Sequence, residues 1–186
     1  MTGNKGKFEE ARLILQRFGL EPRLMDLDVD EPQSDTLEYV SRRTADSAFG
    51  ILKSPLFVED AGLFVHSLGG FPGVFSSYVF STIGIQGILR LMGNSSDRRA
   101  SFKSVVGFTS PSIHPDILLF KGEVSGEIAD PPKGTGGFGF DPIFAPEGSN
   151  LTYAEMRAED KSKTSHRARA LESMGSYLSS RPEIIR

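Results

Sequence analysis

The chain has 186 residues, 21 lysines and arginines against 24 aspartates and glutamates, and no cysteine. The acidic balance argues against general adhesion to nucleic acid, and the missing thiols exclude disulfides, thiolate zinc sites and cysteine nucleophiles. Three scattered histidines do not suit an all-imidazole site, so any metal is expected to be hard and oxygen-bound. No apolar stretch reaches membrane-spanning length and no signal-peptide core opens the chain; the expectation is one domain over residues 1–186, cytoplasmic, with no membrane and no nucleic-acid partner.

In chain order, Phe8, Ala11, Ile14, Leu15 and Phe18 recur at helical spacing before Gly19, which predicts a helix from near Asn4. Gly3 and Asn4 ahead of that helix, with Lys5 and Lys7 in its first turn, would offer N–H groups, a favourable dipole and ammonium charge to a phosphate. In isolation the same residues describe an Asn cap with two solvated lysines. Arg23 to Val29 is expected as a strand, followed by an acidic loop that contains Glu31. Asp35 with Glu38 resembles a capping box for a helix that buries Leu37, Val40, Thr44, Ala45 and Ala48, with Arg42 and Arg43 on its exposed flank.

Leu56, Phe57 and Val58 form an apolar run that reads as a short strand ending at Glu59 and Asp60. Ligands of open α/β sheets bind outside the carboxyl ends of strands, so this acid pair is a candidate metal ligand or base, or else a solvated strand end. Gly69, Gly70, Pro72 and Gly73 then give tight turns around Phe71, and His66 reads as a structural histidine. A short helix with Ile85, Ile88, Leu89 and Met92 inward comes next. Two antiparallel strands follow, Ala100 to Phe108 and Ile117 to Val124, joined by a loop in which His114 is expected at the surface without a chemical companion.

From Pro131 to Phe144, four glycines present Phe138 and Phe140 immediately before Asp141. An aromatic face on such a platform can stack on a nucleobase while the carboxylate accepts from its N–H edge; the same run can also be a turn whose phenylalanines complete the core. Thr152 with Glu155 suggests a further capping box. Ser165 is expected to cap a last helix with Leu171, Met174 and Leu178 inward, placing Ser165, His166 and Arg167 as donors just after Lys161 and Lys163.

Seven segments in one order, TGNKGK from Thr2, Glu31 in DEPQ, VEDAGL from Val58, LGGFPG from Leu68, GGFGFDPIF from Gly136, TYAEM from Thr152 and SHRARAL from Ser165, resemble the inosine triphosphate pyrophosphatase family over nearly the whole chain. The resemblance implies an α/β fold: an elongated mixed β-sheet with flanking helices and two lobes around a central nucleotide cleft, in a homodimer. It implies hydrolysis of non-standard purine nucleoside triphosphates such as ITP, dITP and XTP to the monophosphate and pyrophosphate, with Mg²⁺ as cofactor.

By position, Asp60 and Lys7 would be catalytic, and Glu31 and Asp60 would organise Mg²⁺ and the attacking water. Thr2, Asn4 and Lys7 would hold the triphosphate, and Lys161 would add charge to it. Phe138, with Gly139 and Phe140 beside it, would stack on the purine, while Asp141, Ser165, His166 and Arg167 would surround base and sugar and read the 6-oxo group. Only Met1 precedes Thr2, so an early strand usual in the family is expected to be absent from this chain, and Arg43 stands where the family commonly has a lysine. Two other classes fit parts of the pattern: a nucleotide-binding regulator without turnover, and a glycosidase with paired acids, which would leave the lysines beside the glycine cradle unexplained.

Overall fold

The computed structural model describes residues 5–29 and 32–185, the side chain of Lys5 excepted. Helix α1 spans Lys5–Gln16 and buries Ala11, Ile14 and Leu15, the stripe expected from spacing. Residues 20–29 form no strand; the expected strand over Arg23 to Val29 is replaced by irregular chain, because its alternation of charge and apolar residues finds no neighbouring strand among the described residues. Helix α2 spans Leu37–Leu52, and its cap is Thr36, whose side chain accepts from the Tyr39 N–H, rather than Asp35.

Strand β1 spans Leu56–Val65, so it runs through Glu59 and Asp60 instead of ending at them. Both acids survive mid-strand because each faces a polar or charged partner, as set out below. Helices α3 (Ser76–Thr82) and α4 (Gly84–Met92) follow, then β2 (Arg99–Thr109), β3 (Leu118–Ile128) and the short β4 (Phe144–Pro146). Helix α5 covers Ala158–Thr164 and α6 covers His166–Ser179.

The strands pair β1-β2-β3-β4, every pair antiparallel, so the α/β class holds while the sheet among the described residues is antiparallel rather than mixed. Side chains alternate across the sheet. Phe57, Val106, Phe108 and Phe120 meet α1 and α6 on one face; Leu56 and Val58 meet Ala45, Ala48 and Phe49 of α2 on the other. Two glycines let the helices come this close: a Cβ on Gly107 would stand 2.9 Å from the Ser41 carbonyl oxygen, and one on Gly122 would stand 2.0 Å from that of His166. A third cluster, built from Leu63, Val65, Ile88, Phe102, Ile143, Phe144 and Tyr153, gathers α3, α4 and the chain after the glycine-rich loop at the other end of the sheet.

Beyond Ala61, the free edge of β1 is closed by its own following loop. The Leu63 N–H donates to Ser76 Oγ at 2.8 Å and the Val65 N–H to the Phe71 carbonyl at 3.3 Å. This folds the Gly69–Gly73 turn back on the strand and sets α3 beside the middle of β1. His114 does have companions: its ring stacks on Phe49 at 4.3 Å, and Nε2 lies 3.2 Å from Asp46 Oδ1, because the loop between β2 and β3 crosses the end of α2.

Candidate active site

A cavity of about 1170 Å³ opens between the α1/α6/α2 region and the α3/α4 region. Its walls include Lys7, Glu59, Asp60, Phe138, Lys161 and Arg167. Gly139, Phe140, Asp141 and His166 also line it, so most of the described residues singled out in sequence converge on one space. Thr2, Asn4 and Glu31 lie outside the described residues. Ser165 is buried and caps α6, its Oγ accepting from the Ala168 N–H at 3.1 Å, so it shapes the helix start.

Glu59 faces α1 and α6. Its carboxylate accepts from Ser104 Oγ at 2.7 Å, pairs with Lys7 Nζ at 3.0 Å, and has Arg167 Nε at 3.2 Å in an ion-pair contact that is not aligned as a hydrogen bond. Ser104 is its diagonal neighbour on β2, since Ala61 is the residue opposite Ser104. Burial pushes the Glu59 carboxyl up, but the charges of Arg167 and Lys7 and the Ser104 hydrogen bond outweigh it and hold the group below the usual carboxylate range.

Arg167, itself buried, also donates to Glu10 from its other end. Glu10 in turn lies 3.2 Å from Lys161 Nζ, which donates to Asp141 Oδ2 at 2.7 Å. The result is one continuous chain of alternating charge: Lys7, Glu59, Arg167, Glu10, Lys161, Asp141. Burial lifts the Asp141 carboxyl above its ordinary range against the pull of Lys161. Glu10 and Glu59 are the two members that sequence reasoning did not assign. Glu59 was singled out only as half of an acid pair, and for Glu10 the one local signal is its place one turn beyond Lys7 on the same face of α1.

The glycine-rich loop is latched by the same carboxylate. Asp141 Oδ2 accepts from the Phe138 N–H at 2.7 Å as well as from Lys161. Gly137 lies at φ +70°, and a Cβ there would stand 2.0 Å from that oxygen, so the latch requires glycine. Phe138 is half-buried, with Lys161 Nζ at 4.8 Å and the Arg167 guanidinium at 5.3 Å from its ring centre. Phe140 is buried and meets Phe80 edge-on at 5.4 Å, so it completes the core while touching the cavity.

Thr152 and Glu155 form a turn rather than a helix start: Glu155 reaches back to the Thr152 N–H at 2.9 Å, but Thr152 Oγ1 donates to the Lys133 carbonyl and so braces the glycine loop. Lys161, expected near phosphates, has its ammonium on the Phe138 side of the cavity, between Asp141 and Glu10.

His166 stacks on Phe102 at 4.7 Å with the rings 10° from parallel. Burial, reinforced by Arg167, pushes it well below its ordinary range, so it is neutral at physiological pH. At the first turn of α6 the backbone N–H groups of His166 and Arg167 have no acceptor among the described residues, the next one being taken by Ser165.

Asp60 faces α2, where Ser41 Oγ donates to its Oδ2 at 2.7 Å. Asp26 and Asp28 from the irregular segment also line the cavity, and sequence reasoning missed them because it made that segment a strand. This donor set is all carboxylate oxygen, which suits a hard divalent cation. Among the described residues no three such groups gather tightly enough to enclose one. Arg43 points away, more than half exposed and 3.8 Å from Asp46; Thr44 is the α2 residue that lines the cavity at that turn, so the positive charge at position 43 is not presented to the site.

Relatives place this geometry in context. The Ham1 family profile matches residues 1–177. The dITP/XTP pyrophosphatase of Methanopyrus kandleri is 50% identical over 171 residues, covering 92% of this chain and 90% of its own length. That of Thermococcus kodakarensis is 46% identical over 178 residues, covering 96% and 95%. The solved Ham1 protein of Staphylococcus aureus superposes with a TM-score of 0.81 at 33% identity over 96% of each chain, and that of Coxiella burnetii with 0.77 at 29% over 96% of each. With a profile that covers almost every residue and relatives this similar over nine-tenths or more of their length, the chain belongs to the Ham1 family.

Proposed function

We propose that the chain hydrolyses the triphosphates of non-standard purine nucleosides, ITP, dITP and XTP, to the nucleoside monophosphate and pyrophosphate, and so removes them from the nucleotide pool. The observation that carries this reading is one cavity lined both by an aromatic platform, Phe138, and by Lys7 with the mid-strand acids. Those are the side-chain types that a base and its phosphates call for. The relatives' activity on dITP and XTP points the same way.

The base stacks on Phe138, whose ring is polarised by Lys161 and Arg167. Hypoxanthine and xanthine present an acceptor oxygen at position 6 where adenine presents an amino donor. The guanidinium of Arg167 is already engaged by Glu10 and Glu59, so the donors left for that oxygen are the N–H groups of His166 and Arg167 at the start of α6. Adenine would leave them unpaired, which a buried polar site penalises by about 10⁴-fold or more.

Lys7 contacts the triphosphate and neutralises its charge, and Asn4 and Thr2 are the further residues assigned to hold it. Asp60 orients the attacking water and accepts its proton. Asp60 and Glu31 are the carboxylates that would hold Mg²⁺, which when bound neutralises the phosphates and aligns the leaving pyrophosphate. Phe71 and Ile83, exposed and outside the cavity wall, support a homodimer, and the cytoplasm is the proposed site of action.

The test is product analysis with ITP, dITP, XTP and ATP, with and without Mg²⁺, on the wild type and on Asp60→Asn. Monophosphate and pyrophosphate should form from the oxo purines in a Mg²⁺-dependent way, and Asp60→Asn should lower turnover by orders of magnitude while remaining folded. Binding of ITP with no pyrophosphate released would instead make the chain a nucleotide-binding regulator.

A further inference from the structure

We propose that Ser41 is a positioning residue for Asp60: its hydroxyl fixes the rotation of that carboxylate and holds it at the cavity wall. The proposal rests on the role given above to Asp60 and extends it to a residue on another element.

Ser41 lies on α2 with no exposed surface at all, an unusual place for a hydroxyl in a helix packed on a sheet. Its Oγ is 2.7 Å from Asp60 Oδ2 and 3.0 Å from the Val105 carbonyl oxygen. Val105 is the residue opposite Asp60 on β2, so one hydroxyl spans a cross-strand pair from above. A serine has a single proton to donate. The shorter contact goes to the charged acceptor, and a hydrogen bond to an ionised group is roughly twice as strong as one between neutral groups. Asp60 is therefore the principal acceptor and the carbonyl the secondary one.

This contact depends on how closely α2 lies on the sheet. The helix backbone reaches β2 at Gly107, where a Cβ would meet the Ser41 carbonyl at 2.9 Å. Asp60 sits near the middle of β1 at the boundary between packed sheet and open cavity. A carboxylate there, held on one oxygen by a fully buried donor, loses rotational freedom about its side-chain bonds and presents a defined geometry to whatever occupies the cavity. A purely structural role would instead make Ser41 a volume-filling link between α2 and β2.

The two roles separate experimentally. Ser41→Ala removes the hydroxyl, and Ser41→Cys restores the bulk with a thiol that donates only weakly. With pyrophosphate release from XTP as the readout, both substitutions should lower kcat by about 10- to 100-fold, the range seen when the support of a ligating side chain is lost, and leave KM within about twofold. A Ser41→Cys variant with wild-type kcat would overturn the proposal in favour of packing, as would a Ser41→Ala variant with unchanged kcat. If Ser41→Ala does not fold, the Cys variant alone decides. A double-mutant cycle of Ser41→Ala and Asp60→Ala on the urea midpoint, which needs no activity, should be non-additive; additive shifts mean the pair does not interact in solution. A wild type that releases no pyrophosphate from XTP refutes the proposed activity, and the cycle then still tests the pairing itself.

Discussion

Glu59 and Asp60 are adjacent in the chain and face opposite sides of the sheet, Glu59 toward Arg167 and Lys7, Asp60 toward Ser41. The period-2 alternation of a strand makes this unavoidable once β1 continues through both. One acid therefore becomes the centre of a buried ion-pair chain, and the other faces α2 at the wall of the cavity.

Removing Arg167 should therefore do more than alter base recognition. Arg167→Ala leaves Glu10 and Glu59 without their shared cation, and breaking a buried pair of this kind costs about 3–5 kcal/mol of stability, readable from urea unfolding. The backbone N–H groups that read the base survive this substitution, but the guanidinium that ties the start of α6 to Glu10 and Glu59 and lies 5.3 Å from the Phe138 ring centre does not, so among the molecules that remain folded turnover of ITP should fall more than that of ATP through displaced donors. Proportional loss of both activities would mean that the guanidinium does not position those donors.

Lys7 is part-exposed and Glu59 keeps Arg167 and Ser104 when Lys7 is lost, so Lys7→Ala should leave the melting temperature nearly unchanged. Its effect should appear in kinetics, with KM for XTP raised and kcat lowered together, because the ammonium meets phosphate charge in both the ground and the transition state. Unchanged kinetic constants would return Lys7 to a structural partner of Glu59.

His166 makes stability pH-dependent with a definite sign. Its folded-state pKa is pushed well below the ordinary 6.5, so below that pH the unfolded chain takes up a proton that the folded chain refuses. The contribution is complete above 6.5 and is lost as the pH falls toward the folded value, at about 1.4 kcal/mol per pH unit. Unfolding curves at pH 7 and 5.5 should show this decline, and His166→Gln should flatten it. An identical slope in the variant would place the effect elsewhere.

The glycine loop offers a test of the base platform alone. Gly137→Ala places a methyl group against Asp141 Oδ2 at a positive φ, and strain of that kind amounts to about 1–3 kcal/mol. If the latch on the Phe138 N–H orients the platform, kcat/KM for XTP should drop by about tenfold or more while unfolding stays cooperative. Wild-type kinetics would show that Phe138 does not depend on the latch.

Local features of this protein were legible in the sequence because short-range physics decides them. The stripe Ala11, Ile14 and Leu15, the Ser165 cap and the inward set Leu171, Met174 and Leu178 follow from helical period and capping chemistry, and all are found where spacing puts them. Ordered motifs likewise brought Lys7, Asp60, Phe138, Lys161 and Arg167 to one cavity. What the tertiary structure alone decided is how those charges are shared. Glu10 meets Arg167 across 157 residues and Lys161 meets Asp141 across 20, because α1, α6 and the glycine loop pack together, and no local period encodes such a meeting. The same holds for Thr44 rather than Arg43 at the cavity, for the strand that passes through the acid pair, and for the irregular segment of Asp26 and Asp28: each depends on which neighbour the chain packs against, and a run of residues does not carry its neighbour with it.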